Sequence, residues 1–195
     1  MHAITNSGWI EVVTGSMFSG KTEELLRRLR RAEIAGQEVA VFKPAVDDRY
    51  GDATVGSHVG RQWDASVVPS EGAAVWEIRE ELNGHDVVAI DEANFFSADL
   101  VEVCQRLADD GRRVVVSGID QTYRGEPFEP LPQLMAVAEY VDTLQAICAR
   151  CGEPATRNQR LVGGEPAHAD DPTIVVGAEE SYEARCRNCH ILRRD

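Results

Sequence analysis

Lysine is nearly missing from this 195-residue chain: Lys21 and Lys43 are the only two, and arginine carries the rest of the positive charge. Basic residues are scarce as a group. Twenty Lys and Arg stand against 33 Asp and Glu, a net charge of −13, with a pI near 4.8. Such a surface repels phosphate backbones and argues against broad nucleic-acid binding. It would suit a high-salt cytoplasm, and ordinary solubilising charge explains it as well. No apolar run approaches the ~20 residues that cross a bilayer. The first residues carry no basic-then-apolar leader pattern. The expectation is a soluble, cytoplasmic protein with no membrane or nucleic-acid partner. Internal repeats and low-complexity tracts are absent as well. Hydrophobic content of 43% is enough for one domain of ordinary size, or a core with a small appendage.

What is present begins with Gly15-Ser16-Met17-Phe18-Ser19-Gly20-Lys21-Thr22. This fits G-x-x-x-x-G-K-[ST], the phosphate-binding loop. The preceding run, Trp9 to Val13, reads as a short apolar strand. Residues 23–32 read as a helix with Leu25, Leu26 and Leu29 on one face. Backbone N–H groups in the turn and at the helix start form a nest for phosphate oxygens. Lys21 is placed to reach the β- and γ-phosphates and Thr22 to take a position on Mg²⁺.

A second apolar run, Asp86 to Ile90, ends in the acidic pair Asp91-Glu92. An aspartate at such a strand end holds Mg²⁺ opposite a phosphate loop. Its neighbour points elsewhere and is free to accept a proton. The plainer alternative is a helix-capping Asp beside a solvated Glu.

Five cysteines do not make a disulfide framework. Cys148-x₂-Cys151 and Cys186-x₂-Cys189, with 34 residues between, have the spacing of a closed, structural Cys₄ zinc site. The alternatives are a redox pair or free thiols. His190 is a further possible ligand, although it breaks the x₂ spacing. With zinc, residues 152–185 become a loop pinned at its base. Cys104 stands alone in a helical pattern and reads as buried.

Between these motifs, strands are predicted at 38–44, 63–69, 112–119 and 141–147, the last of the chain. Helices are predicted at 73–82, 98–108 and 131–138. Gly36 reads as the cap of the first helix, and 120–128 is a Gly/Pro-punctuated loop. Alternating strands and helices give an α/β fold: a RecA-like P-loop parallel sheet flanked by helices, with a small zinc-stapled domain. The expected division is a nucleotide-binding kinase core over residues 1–145 and a zinc-binding lasso over 146–195.

Taken together, the loop at 15–22, Asp47-Asp48-Arg49-Tyr50, Asp91-Glu92-Ala93-Asn94-Phe95-Phe96 and the 118–128 loop resemble the cytosolic, type II thymidine kinases. So do both cysteine pairs and the run from Thr173 to Tyr182. The resemblance covers nearly the whole chain, in order. It implies transfer of the γ-phosphoryl of ATP to the 5′-hydroxyl of thymidine, with Mg²⁺, structural Zn²⁺ and homotetrameric assembly. It implies that residues 15–22 and Asp91, Glu92, Ala93 and Asn94 meet the nucleotide, and that Glu92 is the base. Met17, Phe95, Tyr123, Phe128 and Tyr182 would bound the thymine ring, with Arg49 adding positive charge. Backbone groups at Val176 and Gly177 would read its polar edge. Such a flat pocket offers stacking area, while backbone groups read the base without a charged residue. Phe96 is expected in the core. Two departures stand out: Asn94 where Gln is usual, and Asn158, near the thymine pocket, where Thr is common. The acidic pair also resembles a helicase box, but the chain is too short for a second lobe. A zinc-stapled nucleotide-binding module without turnover is the other rival, and Glu92 separates it from a kinase.

Overall fold

The computed structural model describes residues 8–45, 54–56, 62–173 and 180–194. Its larger part is a sheet of six parallel strands. In chain order these are β1 (Trp9–Gly15), β2 (Val39–Pro44), β5 (Ser66–Val68), β6 (Val87–Ile90), β7 (Arg113–Gly118) and β8 (Tyr140–Leu144). A separate short hairpin pairs β3 (Thr54–Gly56) with β4 (Gln62–Asp64). The six-stranded order is β5-β2-β6-β7-β1-β8. Thus β7 stands between β1 and β6, with Thr14 level with Gly118 and Ile90 level with Val116. Topology therefore brings the ends of the phosphate-loop strand and the acidic strand to the two sides of one neighbour.

Period-two side-chain alternation divides the core between the two faces of the sheet. On one, Val41, Val87, Ala89 and Val115 pack against Leu25, Leu26, Leu29 and Ala32 of helix α1 (Lys21–Ile34). On the other, Phe42, Val88, Ile90, Val114 and Val116 meet Leu100, Val103, Cys104 and Leu107 of α3 (Asp99–Asp109), with Leu131 and Leu134 of α4 (Leu131–Val137). Strands buried on both faces read as unbroken apolar runs, which is why β6 and β7 were visible in sequence. Gly36, at φ 76°, follows α1 as expected, and the Gln37 N–H closes onto the Ala32 carbonyl at 3.1 Å.

Several expectations need correction. Residues 73–82 form a 3₁₀ turn (Gly72–Trp76) running into one α-helical turn, α2 (Glu77–Glu80), rather than a full helix. The buried pair Val75 and Ile78 is spaced by three, which a 3₁₀ turn also puts on one face. The run at 63–69 divides into β4 and β5, which belong to different sheets. The run at 141–147 divides too: β8 ends at Leu144, and β9 (Ala146–Ile147) pairs instead with β10 (Pro154–Ala155). It is not the last strand. Residues 152–185 are not a plain loop, because β11 (Arg157–Val162) runs antiparallel to β12 (Glu165–Pro166) and β13 (Glu180–Arg185). The β11 sequence is polar, so hydrophobic alternation could not reveal it. Gln159 is buried there because Ile191 satisfies its amide at both ends: the Ile191 N–H donates to Oε1 at 2.8 Å, and Nε2 donates to the Ile191 carbonyl at 2.9 Å.

Candidate active site

The phosphate loop leaves β1 at Gly15, whose φ is 142° and whose Cβ, if present, would lie 2.2 Å from the Leu144 carbonyl oxygen. No other residue fits there. The loop closes at Gly20, left-handed at φ 86°, and α1 starts at the next residue. Phe18 is also left-handed, at φ 64°, and exposed. Lys21 Nζ donates to the Ser16 carbonyl at 2.8 Å. Burial pushes the Lys21 pKa down, and the carboxylates of Glu92, Asp91 and Asp120 oppose that, leaving it below its ordinary value. The acids that follow β6 and β7 therefore favour the charged form of the loop lysine, whose Nζ rests on the Ser16 carbonyl.

Asp91 is buried directly after β6 and accepts the Glu92 N–H at 3.0 Å. Glu92 has φ 53° and ψ 38°, a left-handed conformation uncommon for a residue with a side chain and concentrated at functional sites. That backbone turn sends Glu92 away from the path of β6 and opens the short 3₁₀ turn Ala93–Phe95. Asn94 is buried, and its Oδ1 accepts the Ile119 N–H at 2.9 Å. Its Nδ2 has no hydrogen-bond partner among the described residues. Thr14 Oγ1 donates to the Gly118 carbonyl at 2.9 Å, fixing the end of β7 beside the loop.

Phe95 and Phe128 come together as an edge-to-face pair, 6.3 Å between centroids at 80°. Phe96 is buried in the core as expected. Tyr123 is buried, and its hydroxyl donates to the Asp171 carbonyl at 2.6 Å and the His168 carbonyl at 2.9 Å. The guanidinium carbons of Arg124 and Arg160 lie 4.9 and 5.2 Å from its ring centroid. Tyr182 sits in β13 opposite Arg160. Asn158 is buried in β11 with its amide engaged at both ends, by Met17 and Gln121. Arg49, Val176 and Gly177 lie outside the described residues.

The four cysteines Cys148, Cys151, Cys186 and Cys189 gather with every Sγ within 4.8 Å of the others. A tetrahedron with Zn–S near ~2.3 Å has ligand–ligand edges of about 3.8 Å. Cys151 and Cys186 Sγ lie 3.7 Å apart, so the thiol set fits zinc. His190 is turned away from it: its Nε2 makes a 2.8 Å hydrogen bond with the Tyr123 carbonyl. Cys104 is enclosed in the core, and burial pushes its thiol up to about 12, which leaves it inert.

Sequence reasoning passed over Asp120. It follows the apolar strand β7 as Asp91 follows β6, so the same strand-end signal was available. Its Oδ1 is buried without a hydrogen-bond partner among the described residues. The polar contacts that tie 155–158 to the phosphate loop had no sequence signal at all.

A glycine loop opening a helix, set across one strand from a buried Asp and a half-buried Glu, defines a P-loop nucleotide-binding protein of the α/β class. A family model described as "Thymidine kinase" matches residues 8–190. Curated relatives named "Thymidine kinase" cover the whole chain over their whole length, at 71% identity in Haloquadratum walsbyi and 75% in Halobacterium salinarum. The chain belongs to the thymidine kinase family.

Proposed function

We propose that the chain transfers the γ-phosphoryl group of ATP to the 5′-hydroxyl of thymidine. The observation that carries this reading is the glycine loop after β1 standing across β7 from the strand-end pair Asp91-Glu92, in a chain of this family. Residues 15–22 bind the donor phosphates through N–H groups at the start of α1 and through Lys21. The donor set fits Mg²⁺: a buried strand-end carboxylate at Asp91, the Thr22 hydroxyl and a net excess of acids around one ammonium. Bound there, the ion offsets phosphate charge. Glu92 accepts the proton of the 5′-hydroxyl as its oxygen bonds to the γ-phosphorus, and the bond from that phosphorus to the β–γ bridging oxygen breaks, releasing ADP. Phosphoryl transfer needs positioning and electrostatic support more than covalent help, and these residues supply both.

Phe95 and Phe128, as a pair, and Met17, Tyr123 and Tyr182 form the thymine side, with Val176 and Gly177 reading the base. Arg49 adds positive charge. Residues 1–145 act as the kinase core, and residues 146–195 as a lasso held by zinc on its four thiols. The protein works in the cytoplasm as a homotetramer, a state sedimentation would check. Among the described residues no helix is long and apolar enough to cross a membrane.

The test is ATP- and Mg²⁺-dependent phosphorylation of thymidine, deoxyuridine, deoxycytidine and deoxyguanosine. Thymidine-selective monophosphate formation is expected. No turnover on any nucleoside, with ATP still bound, would leave a nucleotide-binding module instead.

A further inference from the structure

Asn158 belongs to the small cysteine-bearing part, yet its amide is spent on the large one. Its Oδ1 accepts the backbone N–H of Met17, the third residue of the phosphate loop, at 2.8 Å. Its Nδ2 donates to the Gln121 carbonyl, also at 2.8 Å. Asn158 is 3% exposed, so its own end of each bond is shielded from water. The two ends of one planar amide thus join the loop after β1 to the loop after β7. Around it, Ser16 Oγ donates to the Ala155 carbonyl at 3.3 Å. Arg157 bonds the Gln121 side chain and donates to the Gly125 carbonyl at 3.0 Å.

The consequence follows from how such loops work. Phosphate is held by backbone N–H groups whose directions the loop backbone fixes. A loop whose third N–H is tied to a rigid strand has fewer directions open to the rest. We propose that Asn158 is a positioning residue for the nucleotide rather than a reader of the nucleoside base. It fixes the phosphate loop from the small domain, and so makes donor binding depend on that domain's placement. This rests on the reading of residues 15–22 as the site for the ATP phosphates. The amide keeps a second N–H and a second lone pair, but at 3% exposure it offers neither on an open surface that a pyrimidine edge could reach.

The experiment uses the full zinc-loaded chain and titrates ADP by calorimetry without nucleoside. Asn158→Ala leaves the half-buried Met17 N–H without its acceptor, and ADP should bind about tenfold more weakly. Arg157→Ala, which removes contacts of the same strand to the 121–125 loop but none to the phosphate loop, should stay within about twofold, since no loop N–H loses a partner. Unchanged ADP affinity in Asn158→Ala with a raised thymidine KM would overturn the proposal and make Asn158 a base reader. An equal loss in both variants would also overturn it, because general loosening between the two parts would then explain everything. Should Asn158→Ala melt below the assay temperature, Asn158→Ser takes its place with the same expectation, its hydroxyl being one bond too short. Failure of the unsubstituted chain to bind ADP would refute the phosphate-loop reading itself, and is recognisable because it precedes any substitution.

Discussion

Glu11 offers the sharpest test of how the core beneath the phosphate loop is held. It lies in β1, 7% exposed, on the face covered by α1. Its carboxylate accepts from Arg113 Nε at 2.6 Å and Nη2 at 3.0 Å, from Arg28 Nη1 at 2.7 Å and from Trp9 Nε1 at 2.7 Å. Arg28 reaches on to Glu24 at 2.9 Å and to the exposed Asp142 of β8, so one cluster, buried at Glu11 and Arg28, ties α1 to three strands. Glu11→Gln keeps the volume but sets a donor against two guanidinium groups. Removing one member of a buried pair costs about 3–5 kcal/mol, mostly as uncompensated charge. Arg28 keeps two other carboxylates, which places the loss near ~3 kcal/mol, the low end of that range. At roughly 2–4 °C per kcal/mol for a chain of this size, melting should fall by about 6–12 °C. The assay is a circular-dichroism melt at pH 7, with turnover at 25 °C checked to exclude damage to the site. A fall under about 3 °C would refute the reasoning and mean that the cluster's desolvation cost cancels its attraction.

The same cluster predicts acid sensitivity. Burial pushes Glu11 up, but its bonds to Arg113 and Trp9 and the charges of Arg113 and Arg28 leave it below 4.5, while bonding to Arg27 and Arg28 takes Glu24 to about 2. Because both folded values are depressed, their stabilisation is complete above 4.5 and is lost as pH falls from there toward 2; pH-jump melts would show it, and flat stability across that window would contradict it. Glu92→Gln should lower kcat by about 10²–10⁴ with ADP affinity unchanged, and full turnover would remove Glu92 as the base. Elemental analysis should find one zinc per chain, and Cys186→Ala should lose it and raise the thymidine KM while far-UV dichroism keeps the large sheet; a metal-free protein with normal KM would end the zinc assignment. Phe128→Ala should raise the thymidine KM severalfold through loss of its edge-to-face partner Phe95, and an unchanged KM would place the pair outside the nucleoside site.

The large sheet was legible in the sequence because burial on two faces writes itself as uninterrupted apolar runs, as in Val87–Ile90. The loop at 15–22 was legible because a backbone nest needs glycine where a Cβ would strike Leu144 or force a left-handed φ. The cysteine-bearing part after β8 was not. Its strand β11 buries Asn158, Gln159 and Arg160, and each is paid for by hydrogen bonds to distant segments. A buried polar residue looks like a surface residue until its partners are known.

The charge balance then explains why loop geometry matters so much in this protein. ATP is a polyanion, yet the chain carries −13 and places a single lysine in its phosphate loop. The charge of that lysine is itself offset by Glu92, Asp91 and Asp120. Net positive charge cannot therefore be what draws the nucleotide in. On the function proposed, fixed dipoles do much of it, chiefly the N–H groups of residues 15–22 and the first turn of α1. Dipoles are effective only while they point correctly, unlike a lysine that can follow its target. A loop that relies on direction rather than charge has to be held, by the Leu144 carbonyl against Gly15 on one side and by Asn158 on the other. The acidity of the chain and the buried amide of Asn158 are two parts of one design.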